Sequence, residues 1–546
     1  MKRLRLRRRS PRLPVIVLLA AAIGAAVWQA RTEEERGAAV ASAADSAAAV
    51  RPTPGMPAVA SGDALASTWY CAAGTGDQGG MADHSVTVLN PGDRGVGVTV
   101  TVYGGLLASS SPTTAEDPDA PPPPAAAPAP GARRFQLAAH DRVELRLGNL
   151  VPAPLVAALV EAEGGPVAVE HRVVGPHGVD VGPCASATAP VWHLASGATT
   201  RDAREVVVLF NPFPTDAIVD IAFETDAGSR EPVRFQGFPV AAGTVVGVDI
   251  GDDVAREPQV SATLRTRTGR VVAERLQEFD GSLGPEGLAV ALGVPEASTT
   301  WAFADGGVAD GRTERIVVYN PSEERAEVEV RVLPTIDEPA PAPQPFRLSI
   351  RAGTFTVVDY GAEERVAVGV EHATVVRSTN GVPVVAERAL SHVGEPGRGG
   401  DEGGDKGGDE GGDESAGDVG AGDVADGPGA VVAATRWAFP SPVHDPEAGV
   451  RFVVFNPDPE RSVPVTLFAV ANGRETRVDA DADAVVAPGG RFALGDDAGG
   501  FSWVVEAGAP VVVERVLVRD GGVRLATGPG IPSVDGSVPL GRLVGR

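Results

Sequence analysis

One pattern recurs four times along this chain and restricts its fold more than any other feature. A tryptophan is followed 19–21 residues later by a short apolar run ending in Asn-Pro. An irregular middle comes next, and the unit closes on an apolar run ending in Glu and a basic residue. The clearest copy runs from Trp301 through Ile316-Val-Val-Tyr-Asn320-Pro321 to Val382-Pro-Val-Val-Ala-Glu387-Arg388. The other copies are Trp69, Asn90 and Glu170; Trp192, Asn211 and Glu274; and Trp437, Asn456 and Glu514. Arg275 and Arg515 follow their glutamates directly, whereas His171 stands between Glu170 and Arg172. A period of this size points to a repeat architecture, each unit being one small structural module.

Within a unit the residues alternate apolar and polar. His84-Ser-Val-Thr-Val-Leu-Asn90 and Gly97-Val-Thr-Val-Thr-Val-Tyr103 flank a Pro-Gly-Asp-Arg-Gly turn, the signature of a β-hairpin. Asn at a strand end bonds the backbone ahead of it, and the following Pro fixes φ. Six or seven short strands per unit, with no amphipathic helix, predict an all-β chain of tandem β-sandwiches of the immunoglobulin type. Scarce Met, Lys and aromatics beside abundant Val, Gly and Pro agree with strands and turns. Strands also end in glycine at Gly148, Gly251, Gly361 and Gly495, which predicts a positive-φ turn at a fixed place in each unit.

These features divide the chain into a basic segment (1–12), an apolar anchor (13–30), a stalk (31–64) and repeat 1 (65–184). Repeat 2 (185–294), repeat 3 (295–394), an acidic Gly/Asp linker (395–428), repeat 4 (429–530) and a tail (531–546) follow. Whether the repeats form a rod or a cluster is left open by the pattern. Pro-rich inserts at 121–130 and 339–345 occupy the same loop of repeats 1 and 3 and cannot pack as strands. Residues 395–428 are almost wholly Gly, Asp, Glu, Ala and Ser, the composition of a disordered linker.

The net charge is −25, and seven basic side chains fall within the first twelve residues, so the remainder carries −32 (−25 less seven). A polyanionic body repels phosphates, which sets nucleic acid aside as a partner. Leu13 to Ala30 is apolar and long enough to span a bilayer. Its basic flank predicts a cytoplasmic N-terminus and an extracytoplasmic body in the cell membrane. The alternative is a secretory signal cleaved near Ala41-Ser42-Ala43, giving a secreted body. The only cysteines, Cys71 and Cys184, are expected to form a disulfide in that oxidising setting.

Trp69-Tyr-Cys-Ala-Ala-Gly, Leu209-Phe-Asn-Pro-Phe-Pro-Thr-Asp, Phe235-Gln-Gly-Phe and Gly269-Arg-Val-Val-Ala-Glu-Arg together resemble an uncharacterised family. Its members are membrane-anchored extracytoplasmic proteins of actinobacteria, catalogued only as a domain of unknown function. The likeness covers roughly residues 65–530. It implies an anchored envelope protein whose partner is an envelope glycan or a membrane glycosyltransferase. It carries over no catalytic or ligand residues.

The four Glu-basic pairs can be read as a binding surface. Their equivalence across repeats favours structural pairing, since an active site needs only one copy. Adjacent strand residues face opposite ways, so one member of each pair is expected to point inward or at a neighbouring unit. Trp69, Trp192, Trp301 and Trp437 are expected in the core rather than stacked on sugars. His84, His140, His171, His177, His193, His372, His392 and His444 are scattered, without metal spacing. No Gly-x-Ser-x-Gly nucleophile elbow occurs. The acidic run from Asp401 to Asp426 lacks EF-hand spacing and is expected to gather counterions only weakly. No catalytic residue, cofactor or metal is therefore expected. The sequence favours a non-catalytic, membrane-anchored scaffold or adaptor in cell-envelope assembly. Its alternative is a glycan-binding or glycan-active enzyme using loop carboxylates about 5–9 Å apart.

Overall fold

The computed structural model describes residues 56–77, 80–108, 128–335, 341–393, 423–442, 448–478, 484–496, 500–519 and 524–544. The anchor at 13–30, most of the stalk, His444 and most of the acidic linker lie outside the described residues. Among the described residues no helix is long and apolar enough to cross a membrane. The structure is nearly all β, as the alternation and turn chemistry require.

Each repeat contributes two sheets. In repeat 3 one sheet holds the tryptophan strand (Thr300–Phe303), then His372–Ser378, Ala326–Pro334 and Phe346–Ile350. The other runs Thr354–Asp359, the Asn-Pro strand Arg312–Asn320, the Glu-Arg strand Val385–His392, and Asp423–Pro428. The same pairing order recurs in the other three repeats. In repeat 4 one long strand, Ser502–Arg519, serves both sheets. Between repeats 1 and 2 the sheets fuse. The end of Val96–Ala108 pairs in parallel with Thr244–Asp249, making one eight-stranded sheet.

The asparagines lock the sheets. Asn90, Asn211, Asn320 and Asn456 are fully buried. Each Oδ1 accepts the amide two residues on, from Gly92, Phe213, Ser322 and Asp458. Each Nδ2 donates to carbonyls of the following turn and of a segment about 30 to 48 residues later. One side chain thus satisfies a turn and fixes a long-range register, which explains why Asn rather than Asp recurs. All four tryptophans are core residues. Trp192, Trp301 and Trp437 donate their indole N–H to the carbonyl three residues before the closing Glu, at Val271, Val384 and Val511. Trp69 Nε1 makes no such bond. Cys71 and Cys184 are bonded, with Cα atoms 4.7 Å apart.

Thr53–Arg546 form a single unit, and the repeats close on themselves as a ring. The last strand of each repeat lies at the axis: Gly178–Pro183, Glu286–Leu292, Asp423–Pro428 and Arg524–Pro529. Each packs beside the next, and the fourth returns to the first. The apolar cores run on across the boundaries. Ala72, Ala73 and Val173 of repeat 1 join the core of repeat 2, and the core of repeat 3 continues into that of repeat 4.

Three sequence expectations are corrected. Residues 423–428 are not linker. They are the axial strand of repeat 3, and the acidic run is an insertion into a hairpin that a short turn closes in repeats 1 and 2. Composition hid this strand because Asp426 is neutralised by a partner on another repeat. The stretch read as a tail is not loose either. Ile531–Pro532 and Val538–Pro539 pair with the tryptophan strand of repeat 4, and Val59 bonds Pro532 and Val534. Finally, Gly148, Gly251, Gly361 and Gly495 do not adopt positive φ. Gly148 and Gly361 sit in 3-10 turns. At Gly148 the requirement is space, since a Cβ would come within 2.2 Å of the Gly76 carbonyl oxygen.

Candidate functional site

The Glu-basic pairs meet at the joints between repeats. Alternation along the strand sends the glutamate toward the preceding repeat and the basic residue toward the following one. Glu387 of repeat 3 accepts the amides of Ala195 (2.7 Å) and Ser196 (3.1 Å) of repeat 2, and Arg275 of repeat 2 at 3.1 Å. Glu514 accepts Asp305 N–H at 3.0 Å and Arg388 at 2.9 Å. Glu170 closes the ring on repeat 4, accepting Ser441 N–H at 2.8 Å and Arg515 at 3.1 Å. Glu274 accepts Ala72 (3.1 Å) and Ala73 (2.6 Å) of repeat 1. The amide donors lie three and four residues beyond a tryptophan for Glu387 and Glu274, and four residues beyond for Glu514 and Glu170. In repeat 4 the first of these positions is Pro440, which has no N–H, so Glu170 has one amide donor there.

Each arginine also donates to the carbonyl of the residue that supplies the second amide: Ser196, Asp305 and Ser441. Removing a carboxylate from water is costly unless charge and hydrogen bonds replace the hydration. Burial pushes Glu387 and Glu514 up from the ordinary carboxylate range, and the facing guanidinium opposes that push.

The joint between repeats 1 and 2 differs. His171 takes the arginine's place, its Nε2 3.7 Å from Glu274 Oε2 and its Nδ1 3.1 Å from His84 Nε2. Burial lowers His84 to about 4 and holds His171 well below its usual value. Burial also raises Glu274 to about 8, with the two amides opposing. This joint is closed by neutral groups where the others use an ion pair.

Sequence reasoning missed a second set of buried polar groups six residues before the Asn of repeats 1 to 3: His84, Glu205 and Glu314. A glycine five residues after the tryptophan lets the backbone pass over each. A Cβ at Gly74, Gly197 or Gly306 would lie 2.5–2.7 Å from His84, Glu205 or Glu314. Glu314 pairs with His372 at 3.0 Å and accepts Gly307 N–H at 2.7 Å. Both Glu205 carboxylate oxygens lack hydrogen-bond partners among the described residues, and burial raises the group to about 8. The fixed offset from Asn and the matching glycines were the available signal. The histidines read as scattered are also brought together in part, as the His84–His171 pair shows.

An open feature lies beside the joint of repeats 2 and 3: a cleft of about 450 Å³. Asp202 and Asp426 line it, from positions that are not equivalent in the repeat. Asp426 Oδ2 pairs with Arg275 at 2.8 Å. No group of three or more His, Cys, Asp or Glu side chains converges to hold a metal ion among the described residues.

Comparison with known proteins adds a family and little else. The model of a family of unknown function, DUF5719, matches residues 169–484, more than half of the chain. No curated protein matches. Among solved structures, the Anabaena sensory rhodopsin transducer is similar at 24% identity over 17% of this chain and 83% of its own, with a TM-score of 0.15. A likeness that slight carries no argument.

Proposed function

Because the chain belongs to DUF5719, a family of unknown function, we propose its role from the geometry: a non-catalytic scaffold or adaptor. We read each repeat as an immunoglobulin-like sandwich. We read residues 13–30 as a single-pass anchor that holds the ring outside the membrane, where it serves cell-envelope assembly. One observation carries the scaffold reading. The residues that recur most strictly, Trp, Asn, Glu and the following base, are spent on the core and on joining one repeat to the next. Buried pairs of this kind are weak sources of net stability but strongly penalise alternatives in which one partner is missing. They suit a protein whose product is a fixed shape. The partner expected from the resemblance is an envelope glycan or a membrane glycosyltransferase.

The test is a pull-down from intact envelope with the full chain cross-linked in place. Stoichiometric recovery of one membrane protein supports the adaptor. Turnover of envelope polymer by the purified chain, abolished by substitution of a cleft carboxylate, overturns it. The second reading, a glycan-binding or glycan-active protein, is favoured by the cleft that Asp202 and Asp426 line.

A further inference from the structure

The floor of the cleft beside the joint of repeats 2 and 3 holds more negative charge than that joint consumes. Arg275 is the ion-pair partner of two carboxylates, Glu387 and Asp426. Glu387 is satisfied by two amides and the guanidinium. Asp426 Oδ1 has no hydrogen-bond partner among the described residues. Asp426 is 8% exposed and lines the cleft, with Asp202 as a further carboxylate on its wall. A buried acceptor-only oxygen without a donor is costly, and the cost falls when a donor arrives.

The other walls limit what that donor is. Phe279 and Leu283 supply an apolar and aromatic side, and Leu283 is 69% exposed although large and apolar. The Arg315 guanidinium at the wall donates to Gln259 Oε1 at 3.2 Å and so satisfies a neutral amide oxygen, not Asp426. A cavity of about 450 Å³ falls at the small end of ligand sites. We propose that this cleft binds a primary ammonium carried on a small, partly apolar ligand, the ammonium donating to Asp426 Oδ1 and Asp202 while the stem lies against Phe279 and Leu283. A neutral polyol would supply donors but leave the excess charge. An ammonium supplies three N–H donors and the charge together, and the aromatic face adds a favourable contact. The proposal does not rest on the scaffold reading, and its failure would leave that reading untouched.

The test titrates the full chain by NMR with n-butylammonium, n-butanol and glucose at equal concentrations. The expected result is saturable binding of n-butylammonium at least about tenfold tighter than either neutral probe, the value of one charge-assisted bond. Asp426→Asn is expected to weaken that binding by about tenfold on the same ground. Because Asp426 also pairs with Arg275, Asp202→Asn, which lies outside that ion pair, is the second variant. It is expected to weaken binding by about threefold or more, with the unfolding midpoint unchanged. Tighter binding of glucose overturns the proposal in favour of a carbohydrate site. So do equal binding of n-butylammonium and n-butanol, no binding of n-butylammonium, or binding indifferent to both variants.

Discussion

Substituting Glu387 and Glu170 separately tests whether the glutamates act through backbone amides, because these equivalent residues differ in one donor. Glu387→Ala strands two buried amides, those of Ala195 and Ser196, and takes one carboxylate from Arg275, which keeps Asp426. At about 1–3 kcal/mol per orphaned amide and about 1 kcal/mol for the partly compensated arginine, the loss is about 5 kcal/mol. Glu170→Ala strands only the Ser441 amide, since Pro440 offers none, and leaves Arg515 its bond to the Ser441 carbonyl. On the same scale the single amide costs about 2 kcal/mol, to which Arg515, left without its ion-pair carboxylate, adds its own cost. Because Arg275 keeps Asp426 while Arg515 loses its ion-pair carboxylate, the two deletions are compared in Arg275→Met and Arg515→Met backgrounds, where the difference of about 2 kcal/mol isolates one amide. Urea unfolding, read by tryptophan fluorescence on the five buried indoles of the described residues, measures both. Equal losses in those backgrounds, or a larger loss for Glu170→Ala, would refute the assignment of the joints to amide capture.

The stability carried by Glu205, Glu274 and Asp180 is expected to fall as pH rises from their unfolded values of about 4 to their folded values, about 8 for the glutamates and about 7 for Asp180, and to level off above them. A carboxyl raised above its unfolded value contributes stability that is complete below that value and lost as pH climbs through the folded one. Glu205→Gln should flatten the slope in urea midpoints across this window. On the acid side, His84 near 4 and His171 lower still should cost stability as pH drops below their unfolded value of about 6.5. Reducing the Cys71–Cys184 bond, which closes 113 residues, should lower unfolding free energy by about 2–4 kcal/mol, read as a shifted urea midpoint. Gly105→Ala should loosen the parallel pairing with repeat 2, because its Cβ would fall 1.7 Å from the Val245 carbonyl oxygen. Faster amide exchange in Thr244–Asp249 checks this.

Much of the fold was legible because local chemistry repeated: Trp in a core, Asn at a turn, and alternation within strands all act over short distances. The joints were half legible. That one member of each Glu-basic pair would face a neighbour followed from strand alternation, but the partners did not. Glu387 meets Ala195 and Glu170 meets Ser441, residues about 190 and 270 positions away with no side-chain signal, since their amides are what bind. Ring closure was invisible for the same reason. The axial strand Asp423–Pro428 was hidden differently. Its composition matches the acidic run before it, and only the Arg275–Asp426 pair across the joint makes a strand there tolerable. Glu205 and His84 shared an offset from Asn but not a residue type, so the repeat concealed them.

The four joints are not equally built, and the differences compensate one another. Repeats 1 and 2 lack the arginine, and their joint holds His171 against Glu274. It is also where Val96–Ala108 crosses over to add a parallel strand to the next sheet. A β ladder there replaces what a guanidinium contributes between repeats 2 and 3 and between 3 and 4. Repeats 4 and 1 lack one amide at Pro440, and their joint is where the two ends of the described chain meet. Val59 bonds Pro532 and Val534, while Arg142 donates to the Val470 and Gly500 carbonyls. A closed ring requires that every joint hold, because opening any one exposes a core continuous with its neighbour's. Among the described residues the joint without the arginine carries a β ladder, and the two joints where one amide meets the glutamate carry extra arginine links, Arg491 to Glu371 and Asp305 and Arg142 to the Val470 and Gly500 carbonyls. That distribution is what a shape maintained as a whole would demand, and four independently folding modules would have no reason to show it.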